Sequence, residues 1–158
     1  MKHLIAFITI SLLVGCSVDN SHLVSNSYTD EQHDEVTGLT LKPSENMWVS
    51  FPEMVAIYEA TEACMGMTAT GPTVYFKSFK EYFNGAIGGV WAFHVKGTIY
   101  VNTDENIPAG IERNKDTDTQ ALRHEYIHNI LFYYTGNGDA SHSSEMYGLC
   151  GRGVDVHN

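Results

Sequence analysis

His124-Glu125-Tyr126-Ile127-His128 is the segment of this chain whose residue types and spacing could do chemistry. Residues four apart project from one face of a helix, so two imidazoles at that interval can reach one zinc ion at about 2.0–2.1 Å. Glu125 stands about 100° round from His124, beside such an ion rather than on it, where a carboxylate can take a proton from a zinc-bound water. The plainer readings are exposed helix histidines with an ordinary Glu125 salt bridge, or a structural zinc with a closed four-ligand shell. A catalytic ion needs a third protein ligand and an open fourth position. His142 and Glu145 are the downstream candidates, both beyond the glycine-rich turn Gly136-Asn137-Gly138-Asp139, which can fold the chain back over the helix.

The motif needs a helix, and the surrounding residues supply one. Thr117 and Gln120 are spaced as a capping box, Asp116 and Asp118 suit the positive end of the dipole, and Gly136 and Gly138 stop the run. The pattern predicts a helix from about Asp118 to Tyr134, docking through Ile127, Ile130, Leu131 and Tyr134. Upstream, Pro52 to Ala63 has roughly helical spacing with Gly66 as its stop. Leu39 to Leu41 and Thr73 to Phe79 alternate like strands. Gly88 to Val95 and Thr98 to Asn102 flank Lys96-Gly97 and read as an antiparallel hairpin, after a loop marked by Gly85, Gly88 and Gly89. His94, among Trp91 and Phe93, reads as a half-buried core residue, and His22, His33 and His157 fall in tails. Tyr133, Tyr134 and Tyr147 are near enough in sequence to stabilise an oxyanion, and Tyr147 is the candidate chosen for that role.

With 158 residues, the chain has the length of one domain, and no internal repeat divides it. Nine Lys plus Arg against 19 Asp plus Glu give a net charge of −10 without a basic cluster, which argues against nucleic acid as a partner. Lys2 and His3 lead into the apolar run Leu4 to Val14, the pattern of a secretory signal peptide and too short to span a bilayer. Its end, Leu13-Val14-Gly15-Cys16, resembles the lipobox of bacterial lipoproteins. That resemblance implies cleavage after residue 15, acylation of Cys16 and stable anchoring by two or three acyl chains. Ser17 after the cysteine points to an outer membrane, on its periplasmic face or the cell surface. Residues 16–37 then read as the lipidated cysteine and a polar tether, and 38–158 as the folded domain. Cys64 and Cys150 are left in an oxidising compartment, where a disulfide is expected, the alternative being two separate buried thiols.

The continuation H-x-x-G-x-x-H of the metzincins is absent, since Leu131 and Tyr134 occupy its Gly and His positions. Gly138-Asp139-Ala140-Ser141-His142 followed by Cys150, together with Glu62-Ala63-Cys64-Met65-Gly66 upstream, resembles uncharacterised bacterial zincin-like lipoproteins over roughly residues 50 to 150. The resemblance implies His142 as third ligand to one zinc ion; a gluzincin pattern would use Glu145 instead. It further implies an α+β, zincin-like fold with a small mixed or antiparallel sheet and the H-E-x-x-H helix packed on it. The expected activity is zinc-dependent hydrolysis of a peptide or protein substrate, cell-wall peptides included, with Glu125 as general base. The Thr98 to Asn102 strand is the expected edge for an extended substrate. The alternative is an envelope lipoprotein that binds zinc without turnover. Asp139 reads either as an acceptor for an imidazole N–H or as a simple turn residue.

Overall fold

A computed structural model describes residues 25–83, 90–104 and 113–151. The signal segment, Cys16, His22, His157 and the glycines at 85, 88 and 89 lie outside the described residues. Two layers make up the α+β fold. A five-stranded sheet runs in the order β2 (Gln32–His33), β3 (Thr40–Leu41), β5 (Thr73–Lys77), β7 (Thr98–Asn102) and β6 (Ala92–Val95). β5 is parallel to both β3 and β7, while the two outer pairings, β2 with β3 and β6 with β7, are antiparallel, so the sheet is mixed. A two-stranded ribbon of β1 (Asn26–Tyr28) and β4 (Ser44–Met47) stands beside it. Helices α1 (Phe51–Met65) and α3 (Lys115–Thr135) pack on one another, and α3 also lies against β6 and β7. Two single-turn helices complete the set, α2 (Phe79–Tyr82) and α4 (Met146–Leu149).

Alternation along the strands decides where the core sits. Val74 and Phe76 of β5 and Ile99 and Val101 of β7 point to the helix face and are essentially inaccessible to water. They meet Met54 and Tyr58 of α1 and Leu122, Tyr126, Ile127 and Ile130 of α3, all fully buried. Tyr58 and Tyr126 contact edge to face at 5.0 Å, locking the two helices together. Of the docking stripe expected on α3, Ile127 and Ile130 are buried and Leu131 packs partly. Tyr134 is instead 52% exposed, with its hydroxyl donating to the Thr68 carbonyl at the surface.

Local chemistry fixes the element ends, in places not where sequence pattern put them. β5 stops at Lys77 rather than Phe79, because Ser78 caps α2 by accepting from the Glu81 amide, and Phe79 then turns into the core at 1% exposure. α3 begins at Lys115: Asn114 accepts from the Thr117 amide while the Thr117 hydroxyl accepts from the Asn114 amide, so Thr117 is the inner partner of the box and not its cap. Part of the stretch read as tether is folded. β1 and β2 lie within it, and the Asp34 carboxylate gathers the Thr37 amide and hydroxyl at 2.7 Å each. His33, expected in a tail, is in β2 and bonds Thr40. Lys96 (φ 47°) and Gly97 (φ 82°) close the β6–β7 hairpin, a left-handed pair that suits a two-residue turn. β7 is not an edge, however: it pairs with β5 on one side and β6 on the other, so among the described residues the edge strand on that side of the sheet is β6.

Asp118, expected to favour the helix dipole, does more. Arg113 grips its carboxylate with two parallel N–H donors at 2.9 and 2.7 Å and donates to the Asn46 carbonyl, while the Trp48 amide donates to Asp118 as well. Burial pushes the Asp118 carboxyl up and the Arg113 guanidinium offsets part of that. Both side chains are 5% exposed or less, so this pair pins the start of α3 to β4. By contrast, the buried Tyr126 hydroxyl has no hydrogen-bond partner among the described residues. Arg113→Met is therefore expected to destabilise by about 3–5 kcal/mol, since it strands a buried carboxylate. Tyr126→Phe should leave stability unchanged or raise it by up to about 1 kcal/mol. Urea unfolding of the two variants measures both.

Candidate metal centre

α3 delivers His124, Glu125 and His128 to the cleft side of the fold, and the chain beyond it delivers His142. The helix ends at Gly136 in the left-handed region, where the Gly136 amide donates to the Phe132 carbonyl, and the chain doubles back. Asp139 organises the returning turn: its carboxylate accepts from the Ser141 hydroxyl at 2.9 Å, the Ser143 hydroxyl at 2.7 Å and the Ser144 amide at 2.6 Å. These bonds, led by that of Ser143, hold its carboxyl down to about 2. Asp139 (φ 52°) and His142 (φ 54°) both adopt the left-handed conformation, which costs a non-glycine residue roughly 1 kcal/mol or more. The Asp139 carboxylate and the bond from the His142 amide to the Asp139 carbonyl hold that strained turn. Asp139 is thus a turn-building residue and not an acceptor for an imidazole.

The three imidazoles converge nitrogen to nitrogen. His124 Nε2 lies 2.9 Å from His142 Nε2 and 3.2 Å from His128 Nε2, and one ligating atom from each of the three lies within 4.8 Å of the others. A tetrahedral ion with bonds of about 2.05 Å places neighbouring donor atoms about 3.3 Å apart, close to the 2.9 and 3.2 Å separations that His124 makes with the other two, so the three histidines are near enough to share one ion. His128 supplies the tautomer. Its Nδ1 is 2.5 Å from the Gly138 carbonyl oxygen, which can only accept, so the proton sits on Nδ1 and the Nε2 lone pair faces the cluster. Burial, reinforced by the neighbouring imidazoles, pushes His124 down to about 4, and burial also lowers His128. Both are neutral at pH 7, the form in which imidazole binds a metal.

Glu125 is 5% exposed and lines the cleft beside the cluster. Burial pushes its carboxyl up to about 8, with the His94 backbone amide pulling the other way. Glu145 is exposed at the start of α4 and stands outside the cluster, so the structure groups His142, not Glu145, with the helix histidines. Tyr147 is beside them, but its hydroxyl sits 2.7 Å from His128 Nδ1 and donates to the Gly138 carbonyl. It touches the side of the ring away from Nε2, so it braces a histidine rather than facing the cleft's reactive corner. Burial pushes the Tyr147 phenol up, which keeps it protonated. His94 accepts from the Gly97 amide through Nε2 at 2.9 Å and stacks parallel to His128 at 6.3 Å; as expected, it forms a wall and is not part of the cluster.

Sequence reasoning missed Gly138 as a positioning residue. A Cβ there would come within 3.2 Å of His94 Nδ1 and 3.3 Å of the His128 carbonyl oxygen, so a side chain at 138 would push these neighbours away by a few tenths of an ångström. The signal was present in the Gly-Asn-Gly-Asp turn. Cys64 and Cys150 are bonded, with Cα atoms 5.8 Å apart, tying the end of α4 to the end of α1. A scan of protein-family models and searches of curated proteins and of solved structures returned no match to this chain.

Metal affinity, measured by competition with a chromophoric chelator, checks both the ligand set and the turn that presents it. His142→Ala should weaken binding roughly 100-fold or more while Glu145→Ala leaves it unchanged. Gly138→Ala, which pushes the returning loop off α3, should weaken it roughly tenfold.

Proposed function

We propose that this chain is a zincin-like peptidase that uses one zinc ion held by His124, His128 and His142. The observation that carries the reading is the convergence of three Nε2 atoms beside the buried Glu125 carboxylate of α3. Three imidazoles with one corner left open are the donor set of catalytic rather than structural zinc. Zinc bound there supplies a Lewis acid that polarises a carbonyl and acidifies water.

Glu125 is the proton carrier. Its carboxylate takes the proton of the attacking water and returns it to the leaving nitrogen as the C–N bond breaks. The low-polarity surroundings that raise its proton affinity also match it to this exchange near neutral pH. Tyr147 and the Gly138 carbonyl hold His128 in its tautomer and orientation, and Asp139 holds the turn that presents His142. The outer edge of β6 passes the same cleft, so an extended substrate chain would pair there and not on β7.

The proposed setting is a bacterial envelope, with the chain anchored through acylated Cys16. Among the described residues no helix is long and apolar enough to cross a membrane. Asn26 of β1 stands ten positions after Cys16, a span of at most about 35 Å when fully extended, which keeps the domain near the bilayer surface. Glu125→Gln is the deciding variant. It should keep the full complement of zinc by elemental analysis and lose peptide hydrolysis by on the order of 10²–10⁴-fold. Undiminished hydrolysis in that variant ends the general-base assignment, and a zinc-loaded wild type that cleaves nothing in a broad peptide library ends the peptidase reading in favour of a zinc-binding protein.

A further inference from the structure

We propose that the Cys64–Cys150 disulfide is a redox latch on the three-histidine cluster: a dithiol that opens it loosens the segment carrying His142 and weakens metal binding. This rests on the metal-binding part of the reading above and not on peptide hydrolysis. From Gly136 to Leu149 no residue is buried, and the segment adds to the core only through the partly covered Met146 and Tyr147. Most of its hydrogen bonds stay inside it. The His142 amide donates to the Asp139 carbonyl, the Leu149 amide to Glu145 and the Cys150 amide to Met146, while the Asp139 carboxylate serves Ser141, Ser143 and Ser144. Such bonds shape the segment without fastening it to the fold. Fastening comes from His128, which holds Gly138 and Tyr147, and from the disulfide, which ties Cys150 to the end of α1. His142 stands between these two points, four positions after Gly138 and eight before Cys150.

The disulfide is reachable from one side. Cys64, second from the end of α1, is exposed, whereas Cys150 is 3% exposed, and exposed disulfides are those that thiols open most readily. A thiolate of the dithiol attacks the Cys64 sulfur. The S–S bond breaks, Cys150 leaves as a thiolate and takes up a proton, and Cys64 is held in a mixed disulfide. The second thiol of the reductant then attacks the reductant sulfur of that bond and releases Cys64 as a thiol. The dithiol ends as a disulfide, and two electrons and two protons have passed to the protein. With the latch open, the left-handed conformations of Asp139 and His142 (φ 52° and 54°) have one restraint fewer, so the turn relaxes to geometries in which His142 misses the cluster. A metal ion shared by the three imidazoles restrains the same segment, so cross-link and metal favour one another.

The test uses the full chain, with zinc as the probe and a chromophoric chelator as competitor. The doubly substituted Cys64→Ala, Cys150→Ala protein, which has the latch open and no thiols there to bind zinc, should hold zinc roughly 10–100-fold more weakly than the oxidised wild type. Repeating the comparison in His142→Ala supplies the control: opening the latch should change nothing there, because it acts through that ligand. In the metal-free wild type, a dithiol added under native conditions should release both thiols, read by alkylation and mass. Amide hydrogen exchange should then quicken between residues 138 and 149 while α1 and α3 keep their protection. Tight zinc binding with and without the cross-link overturns the latch and leaves the three-histidine centre standing. An equal loss of affinity in the His142→Ala background, or protection lost along both helices, overturns it as general loosening of the fold. A disulfide that yields to dithiol only when the protein unfolds overturns it as a permanent staple. A wild type that holds no zinc removes the centre itself and the latch with it.

Discussion

One hydrogen bond organises the centre of this molecule: the His128 imidazole donating from Nδ1 to the Gly138 carbonyl. It joins a residue in the middle of α3 to the first residues of the chain that returns over it. The bond selects the tautomer that leaves Nε2 bare, and it sets how far the returning loop stands from the helix, hence where His142 arrives. Glycine at 138 suits this approach because His94 and the helix backbone leave less than the usual room for a Cβ. The Tyr147 hydroxyl closes the arrangement by touching both partners of the bond.

A histidine carried on a strained turn needs anchors at both ends, and the fold provides them with different chemistry. On the near side, α3 is held at its start by the Arg113–Asp118 pair and along its length by the core it shares with α1 and the sheet. On the far side, the Cys64–Cys150 bond closes a loop of 86 positions, worth about 4–5 kcal/mol in the chain-entropy account of cross-links. Between those anchors, Asp139 spends its whole carboxylate on the backbone and hydroxyls of the next five residues. The segment bearing His142 and Tyr147 is thus fixed by a helix, a cross-link and one carboxylate, although its own residues bury little apolar surface.

Electrostatics in the cleft are set by the same burial. Low polarity keeps His124 and His128 neutral and raises the proton affinity of Glu125, so without a cation the cleft carries little charge. A divalent ion in the triad favours the ionised carboxylate beside it by direct attraction. Metal affinity and proton affinity are in this way properties of one shared environment, made by Ala92, Phe132 and the β6 edge as much as by the histidines.

Much of this was legible in the residues themselves. Periodicity and caps gave both long helices to within a few positions, the four-residue spacing put His124 and His128 on one face, Lys96-Gly97 announced the hairpin, and Cys64 and Cys150 were expected to pair. All of these but the cysteine pairing are local signals, written in neighbours a few positions apart, and local sequence suffices for them. The choice of His142 over Glu145, the burial of Asp118, the interior place of β7 and the folding of residues read as tether depend on partners far along the chain: Arg113 with the backbone of Asn46 and Trp48, β7 lying between β5 and β6, Cys64 reaching Cys150. No spacing encodes which strand is flanked on both sides or how near a returning loop approaches a helix. Those distances are fixed only when the sheet, the two helices and the cross-link close on one another.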